Sequence, residues 1–371
     1  MHPPEKRQTT KKLILVIGAT GAQGLAVIDK LLAPCADGTP SPYAVRALTR
    51  DPSSRRARVL ADKGVECVKG AFDDFPSVAR ALAGVYGAWV NTDGFTVGEA
   101  KEVWAGIRIF ELAKQEGGVR HYVWSSLDYA SKIGNYDPQY RCEHYDAKAR
   151  VADWMRSQPS DVGVGDGGTG TGTGMVWSVV TSGPYMDMLF NMMFGPLKRR
   201  EDGTAVFATP VGKGHVPMIA LADLGFFARY AFDHREDTSG VEMKIASDVV
   251  GWDDLARTFE KVAGQRAEVV YQTMDEWFAN FDGVDDPVAN ERDNDGSTTW
   301  RQNFSGWWAL WRDDVISRDL AWVRGVHPNC HTLESWMREN SYNGILKRQE
   351  LLKNTEDGKT IRPRRSVIER L

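Results

Sequence analysis

Long apolar runs are missing from this chain of 371 residues, and no stretch reaches the length a bilayer-spanning helix needs. The first ten residues, Met1 to Thr10, carry no apolar leader core, so the protein is expected to stay in the compartment where it is made, cytoplasmic or also nuclear, without membrane contact. Cysteine is scarce. Cys35, Cys67, Cys142 and Cys330 are four in all, widely separated, with no Cys-x-x-Cys pair. That spacing points away from a disulfide framework and a zinc site and fits reduced thiols. An excess of basic charge is missing too: Lys and Arg number 46 against 50 Asp and Glu, for a net charge of −4. A generally basic, direct nucleic-acid binder is therefore not expected. At this length the chain has room for one large α/β domain with a smaller lobe, as a monomer or homodimer.

What is present begins at residue 13. Leu13 to Ile17 is a short apolar, β-branched run with the character of a fully buried parallel strand, and it breaks into Gly18-Ala-Thr-Gly-Ala-Gln-Gly24 before a segment of helical periodicity, Leu25 to Leu32. Strand, glycine turn and helix make a mononucleotide-binding unit. The glycines allow a tight turn and close approach of backbone N–H groups to a pyrophosphate, and the helix start offers partial positive charge. The spacing Gly-x-x-Gly-x-x-Gly points to the short-chain and extended dehydrogenase/reductase kind of fold.

The second strand, Tyr43 to Arg50, ends where an adenosine ribose would lie. An acidic residue there suits a free 2′-hydroxyl, whereas Arg50, with Arg55 and Arg56 close behind, suits a 2′-phosphate. The cofactor expected is NADP(H), with Asp51 as a dissenting neighbour.

β and α patterns alternate through the first half: strands at 65–68, 87–91 and 121–126, and helices from Ser77 and through Val103, Ile107, Phe110 and Ala113. The fold class is α/β, a Rossmann-type doubly wound parallel sheet with a smaller C-terminal α/β lobe. Ligands then lie off the carboxyl ends of the strands, near Ala71, Phe72, Asp73, Asn91, Thr92, Ser125 and Ser126. The organisation expected is a nucleotide-binding domain at 11–184 with a returning strand near 240–248, a lobe for substrate or partner at 185–346, a Gly-rich flexible insertion at 157–174 and a flexible tail at 347–371.

Tyr140 to Met155 has helical periodicity and carries the candidate chemistry. A reductase of the short-chain kind sets a Tyr four residues before a Lys on one helix face, so that the ammonium acidifies the phenol and bonds the ribose. Here Lys148 follows His144 by four, while Tyr145 precedes it by three. The usual tyrosine is out of place. The catalytic candidates are Lys148, His144, Tyr145 and Ser126, with His144 a possible acid because an unperturbed imidazole titrates near neutrality.

These segments resemble the NmrA-like family, atypical members of the short-chain dehydrogenase/reductase superfamily. The resemblance rests on the glycine turn, Leu48-Thr-Arg-Asp-Pro52, Ala71-Phe-Asp-Asp74, His121-Tyr-Val-Trp-Ser-Ser126, His144-Tyr-Asp-Ala-Lys148 and Gly183-Pro-Tyr185. Further matches are Gly212 followed by His215-Val-Pro-Met218, then Ala222-Asp-Leu-Gly225 and Leu333-Glu-Ser-Trp336. It implies cofactor contacts along Gly18, Ala19, Thr20, Gly21, Ala22, Gln23 and Gly24, at Arg50 and at Lys148, with Pro184 and Tyr185 beside the nicotinamide. It implies either a reductase of carbonyl or iminium carbons in small, biosynthetic molecules or a sensor of the NADPH/NADP+ ratio that acts on a regulatory protein partner. Met188 departs from the family pattern, which often has asparagine there.

Trp277, Trp300, Trp307, Trp308, Trp311, Trp322 and Trp336 crowd the lobe. Core packing accounts for most of them, with a flat aromatic substrate as the functional alternative. Helical spacing lets only some of Trp307, Trp308 and Trp311 face inward.

Overall fold

β1 (Lys12–Ile17) buries its last four residues and alternates its faces: Ile14 and Val16 join one core, Leu15 and Ile17 another. The structure, a computed structural model, describes residues 11–163, 174–291, 297–346 and 361–371. After β1 come α1 (Ala22–Leu32), β2 (Tyr43–Thr49), α2 (Arg55–Asp62), β3 (Glu66–Lys69), α3 (Phe75–Leu82), β4 (Gly87–Val90), α4 (Gly94–Val97) and α5 (Glu99–Glu116). Then follow β5 (His121–Ser126), α6 (Ala130–Ile133), α7 (Glu143–Met155) and β6 (Val176–Thr181).

The lobe starts with β7 (Lys198–Arg199), β8 (Ala205–Thr209), β9 (Val216–Met218) and α8 (Leu221–Asp233), and α8 packs back on α1. The chain then returns to the main sheet as β10 (Glu242–Lys244), parallel to β6. The main sheet has seven strands in the order β10-β6-β5-β4-β1-β2-β3, all parallel. α1 and α8 cover one face; α3, α5 and α7 cover the other. This is the doubly wound Rossmann-type arrangement, and its strand order reverses between β1 and β4.

β11 (Asp248–Val250) pairs with β9, and β12 (Ala267–Tyr271) joins β8 and β7 in a three-stranded sheet. Around them stand α9 (Trp252–Ala263), α10 (Met274–Ala279), α11 (Trp300–Arg312), α12 (Leu320–Val326) and α13 (Leu333–Glu339). The lobe has its own core, built on Phe194, Trp252, Trp277, Trp307, Trp308, Trp311 and Trp336.

Two expectations need correction. Trp307, Trp308 and Trp311 are all at most 2% exposed, because α11 runs through the lobe instead of over it: Gly306 lies against the Arg141 backbone on one side, and Trp308 packs on Phe194, Trp252 and Trp277 on another. The exposed remainder is Trp322, at 38%. The other correction concerns the tail. Ile361 and Ile368 are buried, and Phe281-Asp282 pairs with Arg362-Pro363, so two apolar side chains bind residues 361–371 to the lobe. Of the Gly-rich insertion, residues 164–173 lie outside the described residues, as do 347–360 of the tail.

Candidate functional site

The glycine turn sits at the β1/β4 reversal. Gly18 has φ +80°, and a Cβ there would stand 2.7 Å from the Asn91 carbonyl oxygen, so only glycine lets the turn close on the end of β4. A Cβ on Gly24 would strike the Gly18 carbonyl and Ala19. α1 starts after Gly21 with no side-chain cap and no acid in its first turn, which leaves its N–H groups and positive dipole end to an anion.

Gln23 binds the surroundings together. Its Nε2 donates to the Tyr185 hydroxyl at 2.7 Å, and Ser125 Oγ donates to its Oε1 at 2.6 Å, so the turn, the end of β5 and the loop after β6 form one chain of hydrogen bonds. Burial pushes the Tyr185 phenol up to about 12. Pro184, also buried, accepts from the Ile219 N–H. Beneath the turn, the buried Arg56 guanidinium donates to the Thr20 carbonyl at 3.0 Å. Ala19 and Thr20 are buried, Gly21 and Ala22 half-buried. Arg50 is exposed just past β2. Its neighbour Asp51 accepts from both the N–H and the hydroxyl of Ser53, and these bonds hold its carboxyl below the ordinary range. Phe72 leans on the sheet core, while Asp73 is exposed.

α7 delivers Lys148 to the same place. The Trp124 indole N–H donates to the Lys148 carbonyl at 3.0 Å, fixing α7 to β5. The buried ammonium then reaches Asn91 Oδ1 (3.0 Å), the Thr92 carbonyl (2.7 Å), Thr92 Oγ1 (3.2 Å) and Glu102 Oε1 (3.0 Å). Glu102, on α5, is fully buried and also accepts from Thr92 Oγ1 at 2.7 Å. Three N–H groups therefore meet four acceptors, one of them a carboxylate.

His144 and Lys148 share a face of α7, and Tyr145 does not join them. Tyr145 is 2% exposed and packs on Trp311 in the lobe core, where burial raises its phenol well above the usual range. His144 is half-buried between Phe95 and Phe304, with Nδ1 beside Asn303 and Cys142. Desolvation takes its pKa down to about 3, so the imidazolium acid that the sequence suggests is not populated at neutral pH. Ser126 is buried and donates to the adjacent Leu127 carbonyl.

Sequence reasoning missed Glu102, Asn303 and Arg318. Glu102 had a readable signal: it falls on the stripe of Ala105, Gly106, Ile109 and Ala113 that α5 buries, where a carboxylate needs a partner. Arg318 and Asp128 form an ion pair at 2.6 Å with both side chains fully buried. Arg318 also donates to the carbonyls of Ser182 and Ile245, which ties the ends of β5, β6 and β10 to the lobe. Nothing local in the sequence marks that pairing. Among the described residues no group of three His, Cys, Asp or Glu is arranged to hold a metal ion, and no helix is long and apolar enough to cross a membrane.

A parallel sheet reversing at β1/β4, with a glycine turn at the reversal and a lobe over the strand ends, defines a Rossmann-type protein with a nucleotide-binding cleft. The profile of the NmrA-like family matches residues 10–293, and the chain belongs to that family. It is 27% identical over 282 residues to the NmrA-like family domain-containing oxidoreductase hkm9 of Aspergillus hancockii, covering 72% of this chain and 77% of that one. With malD of Malbranchea aurantiaca, of the same description, it is 26% identical over 277 residues, covering 71% and 76%. Among solved structures, NmrA, a negative transcriptional regulator in complex with NADP, superposes with a TM-score of 0.66 at 19% identity, covering 89% of this chain and 95% of that one. The NADPH-dependent quinone oxidoreductase QOR2 of Escherichia coli, complexed with NADPH, gives 0.63 at 18% identity, covering 88% and 99%.

Proposed function

We propose that this protein is an NADP(H)-dependent oxidoreductase that reduces an electron-poor carbon, a carbonyl or iminium, of a small and flat molecule. The observation that carries this reading is the Lys148 ammonium standing at Asn91 and Thr92, where the Asn91 backbone already touches Gly18: cofactor turn and lysine converge at the strand-order reversal. The residues fit a dinucleotide. Gly18 to Gly24 and the uncapped α1 start would hold the pyrophosphate, Arg50 the 2′-phosphate, and Lys148 with Asn91 the nicotinamide ribose, with Tyr185 bordering the cleft. When bound, the reduced dinucleotide supplies hydride. The chain's own part is to bind and to orient the acceptor. Asp51 turns one carboxylate oxygen to Ser53, and the exposed Arg50 guanidinium beside it is the group that favours NADP(H) over NAD(H). Names of fungal relatives as oxidoreductases support the class.

Calorimetry tests the cofactor assignment. NADPH is expected to bind more tightly than NADH, and Arg50→Asp to weaken NADPH by roughly 10- to 100-fold, the worth of a charge-assisted contact, with far less effect on NADH. Equal losses would remove the phosphate argument. Lys148→Ala should abolish NADPH turnover in a protein that keeps its fold.

One observation favours a second reading, a cofactor-sensing regulator. Glu102 already compensates the Lys148 charge, and no phenol stands at position 144 to be acidified. Light scattering with and without NADPH separates the two, since a sensor must change its association state or its binding of a partner protein.

A further inference from the structure

We propose that Asn303 of the lobe holds His144 as its Nε2–H tautomer, and that this N–H receives the acceptor atom of the substrate, which makes the cleft one for an uncharged carbonyl and not for an iminium cation. This rests on the oxidoreductase reading and narrows it. Asn303 is 1% exposed, and both ends of its amide are assigned by their partners. Its Oδ1 accepts the Glu143 backbone N–H at 2.9 Å, which turns Nδ2 toward His144 Nδ1 at 3.0 Å. His144 Nδ1 stands 3.3 Å from Asn303 Oδ1 as well, but its shorter contact is to Nδ2, an amide nitrogen with only protons to offer, and toward it Nδ1 presents its lone pair. The Cys142 sulfur lies 3.3 Å from the same nitrogen, and burial keeps that thiol protonated, a second donor to the same lone pair. A neutral ring with Nδ1 accepting carries its proton on Nε2.

The charges around the ring agree. Lys148, one turn along α7, opposes a second positive charge, and the Glu143 carboxylate is turned away to Arg141 and Thr298. Tyr145 is edge-on at 4.9 Å and neutral. Among the described residues no carboxylate bonds the ring. Nε2 has no hydrogen-bond partner among the described residues and is not one of the fully buried, unpartnered atoms, and the ring stands one turn from Lys148 on the same face of α7. Phe95 and Phe304, with centroids 4.8 and 5.4 Å from the imidazole, flank it with apolar faces.

Such a donor needs a lone pair. A carbonyl oxygen has one; the nitrogen of an iminium has none. As hydride from the reduced dinucleotide bonds to the carbonyl carbon, the C=O π pair moves onto oxygen. Nε2–H stabilises the alkoxide, water protonates it, hydroxide leaves to solvent, and the imidazole ends as it began.

The tautomer is read without any turnover. In protein labelled with 15N-histidine, and with His144→Phe to assign the signal, His144 should show a neutral Nε2–H ring unchanged between pH 5 and 8. An Nδ1–H ring, or titration within that range, overturns the proposal. Substrate class is then read by binding to NADP+-loaded protein of two probes of one shape, phenanthridin-6-one and the 5-methylphenanthridinium cation. The carbonyl probe should bind about tenfold more tightly, near the upper worth of a single net hydrogen bond. Asn303→Asp, whose side chain can only accept, should draw the proton to Nδ1 and erase or invert that preference. Equal affinities, tighter binding of the cation, or binding of neither probe by the wild type overturn the assignment. Failure to bind NADP+ at all would instead sink the oxidoreductase reading, and the spectrum of the apoprotein would still decide the tautomer. If Asn303→Asp does not fold, the wild-type spectrum and the wild-type probe ratio each suffice.

Discussion

Lys148 looks in sequence like any lysine on a charged helix, with Glu143, Asp146, Arg150 and Asp153 around it. In the fold it is buried against Glu102, a carboxylate that is itself fully buried, and among the described residues Glu102 Oε2 has no hydrogen-bond partner. Removing one member of such a pair leaves a charge stranded in a low-dielectric site, and that costs more than the pair contributes. Glu102→Gln is therefore expected to lower unfolding free energy by about 3 kcal/mol. Adding Lys148→Met to it should recover part of the loss, because the stranded ammonium is then gone. Urea unfolding of the two single variants and the double variant measures the coupling, and strictly additive losses would show that the two side chains do not act as a unit. The position of Lys148 could be suspected from its spacing to His144, but its partner could not, because Glu102 lies 46 positions earlier and only α5 packing on α7 joins them.

At the scale of elements, those with a strong local signal were legible. β1, β2, β4 and β5, with α1 and α5, are set by apolar periodicity against a buried sheet, and each is observed where its pattern places it. α11 shows the limit of that logic. A period of 3.6 with bulky residues on every side reads as a helix with some faces wasted, unless every face meets a partner. Here the partners are the Arg141 segment, Tyr145, Phe194, Trp252 and Trp277, brought together by the lobe's own fold. Trp308 is at the centre, fully buried and packed against Trp252, Trp277 and Trp307. Trp308→Ala should cost about 3–5 kcal/mol in urea unfolding, the range for truncating a large buried aromatic. A loss below 1 kcal/mol would mean that the lobe core repacks freely around the gap.

For the whole molecule, three histidines tie stability to pH in opposite directions. His121, buried with Nε2 on Ser178 Oγ, and His144 are both driven by desolvation from 6.5 to about 3. They stay neutral in the fold while the unfolded chain takes up protons below 6.5, so stability is lost as pH falls from 6.5 toward 3. His331 is the reverse case: bonds to Asp223 and Glu339 raise it from 6.5 to about 9. Its contribution is fully present below 6.5 and disappears as pH rises through 9. Together the three set a stability maximum near pH 6.5. Melting temperatures recorded from pH 5 to 10 should show it, and His331→Gln should flatten the alkaline side alone. An alkaline decline that survives in His331→Gln would assign that limb to other groups.

The sequence alone determined the parallel sheet, the glycine turn, the arginine at the second strand's end and the lysine on α7, because each is written within a single strand, turn or helix period. The tertiary structure alone decided which side chains meet at the strand ends: Glu102 with Lys148, Asn303 with His144, and Arg318 with Asp128. Those pairings join residues 46, 159 and 190 positions apart. Such distances carry no periodic signal, and the contacts exist only once the buried polar groups, denied water, must find each other.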